Sequence, residues 1–66
     1  MERWVSKTRE LTEVPEVDAF IAEVDAVCQK HGMSIGHEDD HGAFEIHEYH
    51  PMYSEWLKQA QDERPG

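Results

Sequence analysis

An α+β domain of the order helix, β-hairpin, helix is predicted, and three observations carry it. Apolar residues recur at helical spacing through 15–31, the run Ala43-Phe44-Glu45-Ile46-His47-Glu48-Tyr49 alternates with period two, and a second helical stripe follows Pro51. With 66 residues the chain has room for one domain. Its expected parts are an N-terminal arm or extra short strand over 1–13, a helix over 15–31, a hairpin over 33–49 and a helix over 51–63. Pro65 and Gly66 mark a frayed end.

The first helix has local signals at both ends. Pro15 suits the first helical position, where its missing N–H costs nothing, and Glu16 and Asp18 meet the positive end of the helix dipole. Lys30 and His31 lie in the last turn, and Gly32 is placed to close it. Val17, Phe20, Ile21, Val24, Val27 and Cys28 span an arc of roughly 120° and are expected to be the core face. Ala19, Ala22 and Ala26 share the opposite face, where a second copy of the chain could approach to form a homodimer.

Met33-Ser34-Ile35 reads as the first strand of the hairpin. Ile35, Phe44 and Ile46 are expected to face the helices, with Glu45, His47 and Tyr49 turned away. Tyr53, Trp56, Leu57 and Ala60 make the stripe of the second helix. The full expected core is Val17, Phe20, Ile21, Val24, Val27, Cys28, Ile35, Phe44, Ile46, Trp56 and Leu57. Cys28 within that core is expected to be an inert small hydrophobe. Trp4 is read mainly as a core residue that could also anchor a partner.

The net charge of −9 is concentrated: residues 10–55 hold twelve acidic side chains against Lys30 alone. Such a field repels nucleic acid and anionic membranes and attracts a basic surface, so direct nucleic-acid or membrane binding is not expected. A lone cysteine rules out an internal disulfide and, with no signal-peptide pattern, suggests a reducing cytoplasm.

The seven residues from Gly36 to Gly42 are the most distinctive feature. A hairpin can close with two residues, so a longer turn carrying His37, Glu38, Asp39, Asp40 and His41 is a candidate binding site, with His47 on the adjacent strand. His37 to His41 matches H-E-x-x-H literally, but a turn cannot set both histidines on one helical face as zinc hydrolysis requires. A hairpin followed by a helix is also the outline of ββα-metal nucleases. Here the second helix lacks the expected ligands, and the charge would repel the substrate. Five histidines near the turn leave a small metal-binding domain as an alternative, although no standard ligand spacing is present. The expectation is a protein without enzymatic activity, cofactor or bound metal.

The segment Val27-Cys28-Gln29-Lys30-His31-Gly32-Met33-Ser34-Ile35-Gly36-His37-Glu38-Asp39-Asp40-His41-Gly42-Ala43-Phe44, followed by Glu55-Trp56-Leu57, resembles a group of small proteins encoded in tailed-bacteriophage genomes. Its most specific part is His37-Glu38-Asp39 with His41-Gly42-Ala43-Phe44. The resemblance covers roughly half the chain and carries no settled activity. It implies expression in the cytoplasm of an infected bacterium. The expected role is a binding protein acting through the 37–41 turn on a host or phage protein with a basic surface, or on a small polar molecule. Inhibition of a host enzyme or defence factor fits that setting. The alternative is an acidic DNA mimic that works through its overall charge.

Overall fold

The computed structural model describes residues 1–65; the end expected to fray at Gly66 lies outside them. Six elements follow in order: β1 (Glu2–Val5), β2 (Glu10–Glu13), α1 (Pro15–His31), β3 (Met33–His37), β4 (Phe44–Glu48) and α2 (Pro51–Lys58). β1 pairs antiparallel with β2, and β3 with β4, in two separate two-stranded sheets. The fold is therefore α+β, as the periodicities predict. The expected arm over 1–13 is a complete hairpin, and it does not extend the sheet of β3 and β4.

α1 ends where its local signals place it. Pro15 occupies the first turn, and Gly32 takes the left-handed conformation at φ 68° while its N–H bonds back to the helix. α2 starts at Pro51 as expected, and His50 caps it: His50 Nδ1 accepts from the Met52 N–H at 3.0 Å. α2 stops at Lys58 instead of running to 63, because the tail beyond it has another partner. Asp62 forms a parallel bridge to Val5. Its N–H donates to the Trp4 carbonyl at 2.8 Å, and its carbonyl accepts from Ser6 N–H at 3.0 Å.

Arg3 locks this arrangement. It is 3 % exposed, and its guanidinium donates to the Lys58 carbonyl at 3.0 Å, to the Ala60 carbonyl at 2.8 Å and to the Asp18 carboxylate. One side chain thus ties β1 to α1 and to the end of α2. Its Nε is buried without a partner among the described residues.

The interior differs from the expected core in a consistent way. On β1, Arg3 and Val5 point in while Trp4 points out. On β3, Ser34 and Gly36 are buried while Ile35 is exposed. On α1, Asp18 meets Arg3, Ile21 is buried, Asp25 accepts from the Ser54 hydroxyl, and Cys28 lines a small cavity with Ser34 and Leu57. Val17, Phe20, Val24 and Val27 lie on a line roughly 100° further round the helix, and Phe20 is 65 % exposed. Phe20, Val27, Ile35, Phe44, Ile46 and Trp56, all expected in the core, lie on the surface. The buried apolar side chains among the described residues are Val5, Val14 and Ile21. Ala19, Ala22 and Ala26 are also exposed.

Acid is expected to unfold this structure. The Arg64 guanidinium holds the Asp62 carboxyl down at about 2, from an ordinary value of 3.8. Asp18 is lowered by Arg3, and Asp25 by the Ser54 hydroxyl. A carboxyl with a depressed folded pKa stabilises the fold above its unfolded pKa and loses that contribution as pH falls through the folded value. Urea midpoints are therefore expected to hold steady from neutral pH to about 5 and to drop between about 4 and 2. A midpoint unchanged at the acid end of that window would show that these carboxylate contacts contribute nothing.

Candidate functional site

The turn between β3 and β4 is built around Glu38. Its carboxylate accepts from the backbone N–H of Asp40 at 2.6 Å and of His41 at 2.7 Å, and lies 3.2 Å from His41 Nδ1. Its own N–H donates to the Ala43 carbonyl at 2.7 Å, and its carbonyl accepts from Gly42 N–H at 3.2 Å. Gly42 takes φ 72°, a left-handed conformation that glycine adopts without strain. Burial pushes the Glu38 carboxyl up, but the Asp40 and His41 donors outweigh it and hold its pKa below the usual carboxylate range. Glu38 is thus the internal brace of the turn, and its lone pairs are turned inward rather than toward a ligand.

The other turn residues are presented to solvent. Asp39, Asp40 and His41 are exposed, and His37 Nδ1 lies 3.5 Å from an Asp39 oxygen. The His37 ring meets Phe44 edge to face at 5.9 Å. His47 is set apart from this group on the opposite face of the hairpin. It stacks on Tyr53 at 4.5 Å with an interplanar angle of 11°, and its Nε2 lies 3.0 Å from Glu45. The stack covers Gly36, where a Cβ would come within 2.9 Å of the His47 ring and 3.1 Å of Tyr53. Glycine is required there for close approach, while its fellow bracket Gly42 is required for backbone angle.

Replacing Glu38 by alanine is expected to open the turn without unfolding the protein. The amides of Asp40 and His41 lose their acceptor and should exchange faster with solvent, by about tenfold. Exchange at those two amides unchanged in E38A would mean that the turn holds its shape without the brace. A triple substitution of His37, Glu38 and His41 therefore does not report on ligand contacts alone, because one of the three shapes the loop.

Beside the turn runs a groove of about 360 Å³ between β3 and α2, lined by Ile35, His37, Phe44, Tyr53, Trp56 and Leu57 among others. Trp56 stands edge-on to Tyr53 at 5.5 Å and is 57 % exposed. His37, the last residue of β3, belongs to this wall and borders the turn. The groove is not legible in the sequence, where Ile35, Phe44 and Trp56 read as core residues. Their apolar character was legible, but their exposure was not.

Among the described residues, no three His, Cys, Asp or Glu side chains converge in a way that could hold a metal ion. No helix among them is long and apolar enough to cross a membrane. Fold and site together define a small α+β domain with an acidic, internally braced turn at the mouth of an apolar groove. No family model, curated protein or solved structure matches the chain.

Proposed function

We propose that the protein is a binding module for another protein, and that it recognises an apolar side chain flanked by basic residues. The observation that carries this reading is the groove between β3 and α2, with Asp39 and Asp40 exposed in the turn beside its His37 and Phe44 wall. An exposed tryptophan next to a second aromatic ring is the kind of anchor that dominates protein interfaces. Carboxylates at the rim steer a basic partner toward it and select against acidic ones. His37, in the wall and next to the turn, would contact both parts of such a ligand. In the infected bacterium that the phage resemblance implies, the partner would be a host protein and the consequence its inhibition.

Capture from bacterial lysate tests this, with the parent, Trp56→Ala and the pair D39N/D40N as baits, each confirmed folded by circular dichroism. A protein retained by the parent, lost with W56A and retained less at the rim variant, is the expected result. Equal capture by W56A overturns the groove. Capture that ignores W56A but disappears in high salt points instead to an acidic surface acting as a DNA mimic.

A further inference from the structure

We propose that two copies of the chain pair antiparallel through β4, joining their hairpins into one four-stranded sheet centred on Ile46. This goes beyond the groove and does not depend on what occupies it.

The hydrogen-bond pattern of the hairpin leads to this pairing. At one end of the β3–β4 ladder Glu38 N–H donates to Ala43 at 2.7 Å, and at the other Tyr49 N–H donates to Gly32 at 2.9 Å. Bonded and non-bonded pairs alternate in an antiparallel ladder. In the observed register, Gly36–Glu45 and Ser34–His47 are then the bonded pairs between those ends. Phe44, Ile46 and Glu48 consequently turn their N–H and C=O groups away from β3, along an edge with no strand beside it among the described residues. Both helices run beside β3, and α2 reaches β4 only from the face of the hairpin, through Tyr53 on His47, so among the described residues the outer edge of β4 is open. An open edge with three outward donors and three outward acceptors is a template for another strand.

The same edge is self-complementary. With the two-fold axis at Ile46, Ile46 bonds to its own copy, and Phe44 bonds to Glu48 of the second copy at both ends. Glu45 then stands across from His47 of the second copy, twice, so that no like charges face each other directly. Moving the axis to residue 45 would set Glu45 against Glu45, and moving it to 47 would set histidine against histidine. On the other face, the register Ile35–Ile46 continues across the axis as an unbroken row of four isoleucines. The pairing also places a residue from the second copy, Glu45, beside His47 of the first.

The surface area supports a missing partner of this size. The chain exposes 5141 Å², whereas a monomer of its mass is expected to expose about 4,300 Å². The difference, roughly 800 Å², is what one partner contributes to a standard interface. The radius of gyration is 12.8 Å and the shortest dimension 17 Å, against about 11 Å for the radius of a compact chain of this length. Phe44 at 75 % and Ile46 at 67 % exposure are among the most exposed apolar residues, and both sit on β4. The charge of −9 per chain opposes association at long range, so added salt should strengthen the dimer. A basic partner in the groove would show the reverse.

The test uses the purified full chain alone, which separates it from the lysate experiment. Sedimentation over a wide concentration range is expected to show a particle of twice 7.7 kDa giving way to one chain on dilution. Hydrogen exchange read amide by amide should show Phe44, Ile46 and Glu48 protected at high concentration and exchanging about tenfold faster or more on dilution. Glu45 and His47 should stay protected throughout. H47E should weaken the dimer by setting glutamate against glutamate, and E45K with H47E should restore it with the signs reversed. If H47E disturbs the Tyr53 stack, Ile46→Pro gives the same readout, because the N–H it removes points away from β3. A single-chain mass at every concentration overturns the proposal. So does a dimer whose Phe44, Ile46 and Glu48 amides exchange freely.

Discussion

Replacing Arg3 by alanine is expected to cost about 2–4 kcal/mol, most of the stability of a domain this small. The guanidinium is the point where three segments meet: β1, the Asp18 position of α1, and the carbonyls of Lys58 and Ala60 at the end of α2. Removing it strips two carbonyl acceptors of a charged donor and leaves the Asp18 carboxylate without that partner. Asp18 is about one-third exposed on its side chain and can recover some hydration, which keeps the cost below that of a fully buried pair. Arg3→Lys is expected to restore little, because an ammonium cannot present the planar fork that reaches both carbonyls and the carboxylate at once. Far-UV circular dichroism and urea denaturation read the loss directly. A variant that melts within a few degrees of the parent would mean that the N-terminal hairpin docks by other contacts.

Gly36→Val is expected to destabilise by about 1–3 kcal/mol through overpacking, although it adds apolar bulk to a strand where valine is normally favoured. The new Cβ alone would lie 2.9 Å from the His47 ring and 3.1 Å from Tyr53. These two rings are stacked on each other, so neither can give way without parting from its neighbour or lifting α2. Phe44→Ala, at 75 % exposure, is expected to change stability by only about 0.5 kcal/mol. A sequence-based core would predict the reverse order, with the phenylalanine far the more costly of the two. Thermal melts of the two variants side by side decide it: a larger loss for F44A than for G36V would restore Phe44 to the interior. Because the single chain leaves Phe44 bare, this comparison is best made at concentrations low enough to keep the chain monomeric.

The elements with local causes were legible in the sequence. Pro15 and Gly32 bound α1 through their own φ preferences. The glycine-bracketed turn and the alternation after it mark the β3–β4 hairpin, and Pro51 marks the start of α2. The polar turn was also legible as a distinct feature, but β3 runs on through Gly36 and His37, so the turn is shorter than expected. The inward bracing role of Glu38 was not legible, because the sequence does not show which donors its carboxylate meets. The β1–β2 hairpin was hidden by its turn. Arg9 takes φ 58° there, a conformation usually signalled by glycine or asparagine, so the sequence carries no turn marker.

The two helices and the β3–β4 hairpin follow from the sequence alone, because their ends and turn depend on residues a few positions apart, whereas the β1–β2 hairpin does not. The sequence also determined which side chains share a stripe, since period and handedness are properties of the backbone. Only the tertiary structure decided which stripe turns inward. That choice depends on contacts between distant residues, above all Arg3 with Asp18, Lys58 and Ala60, and Asp62 with β1. Those contacts draw a polar side of α1 and β1 into the interior and leave Phe20, Ile35, Phe44, Ile46 and Trp56 facing out. Periodicity shows that apolar residues seek cover together, but not whether the cover comes from the same chain.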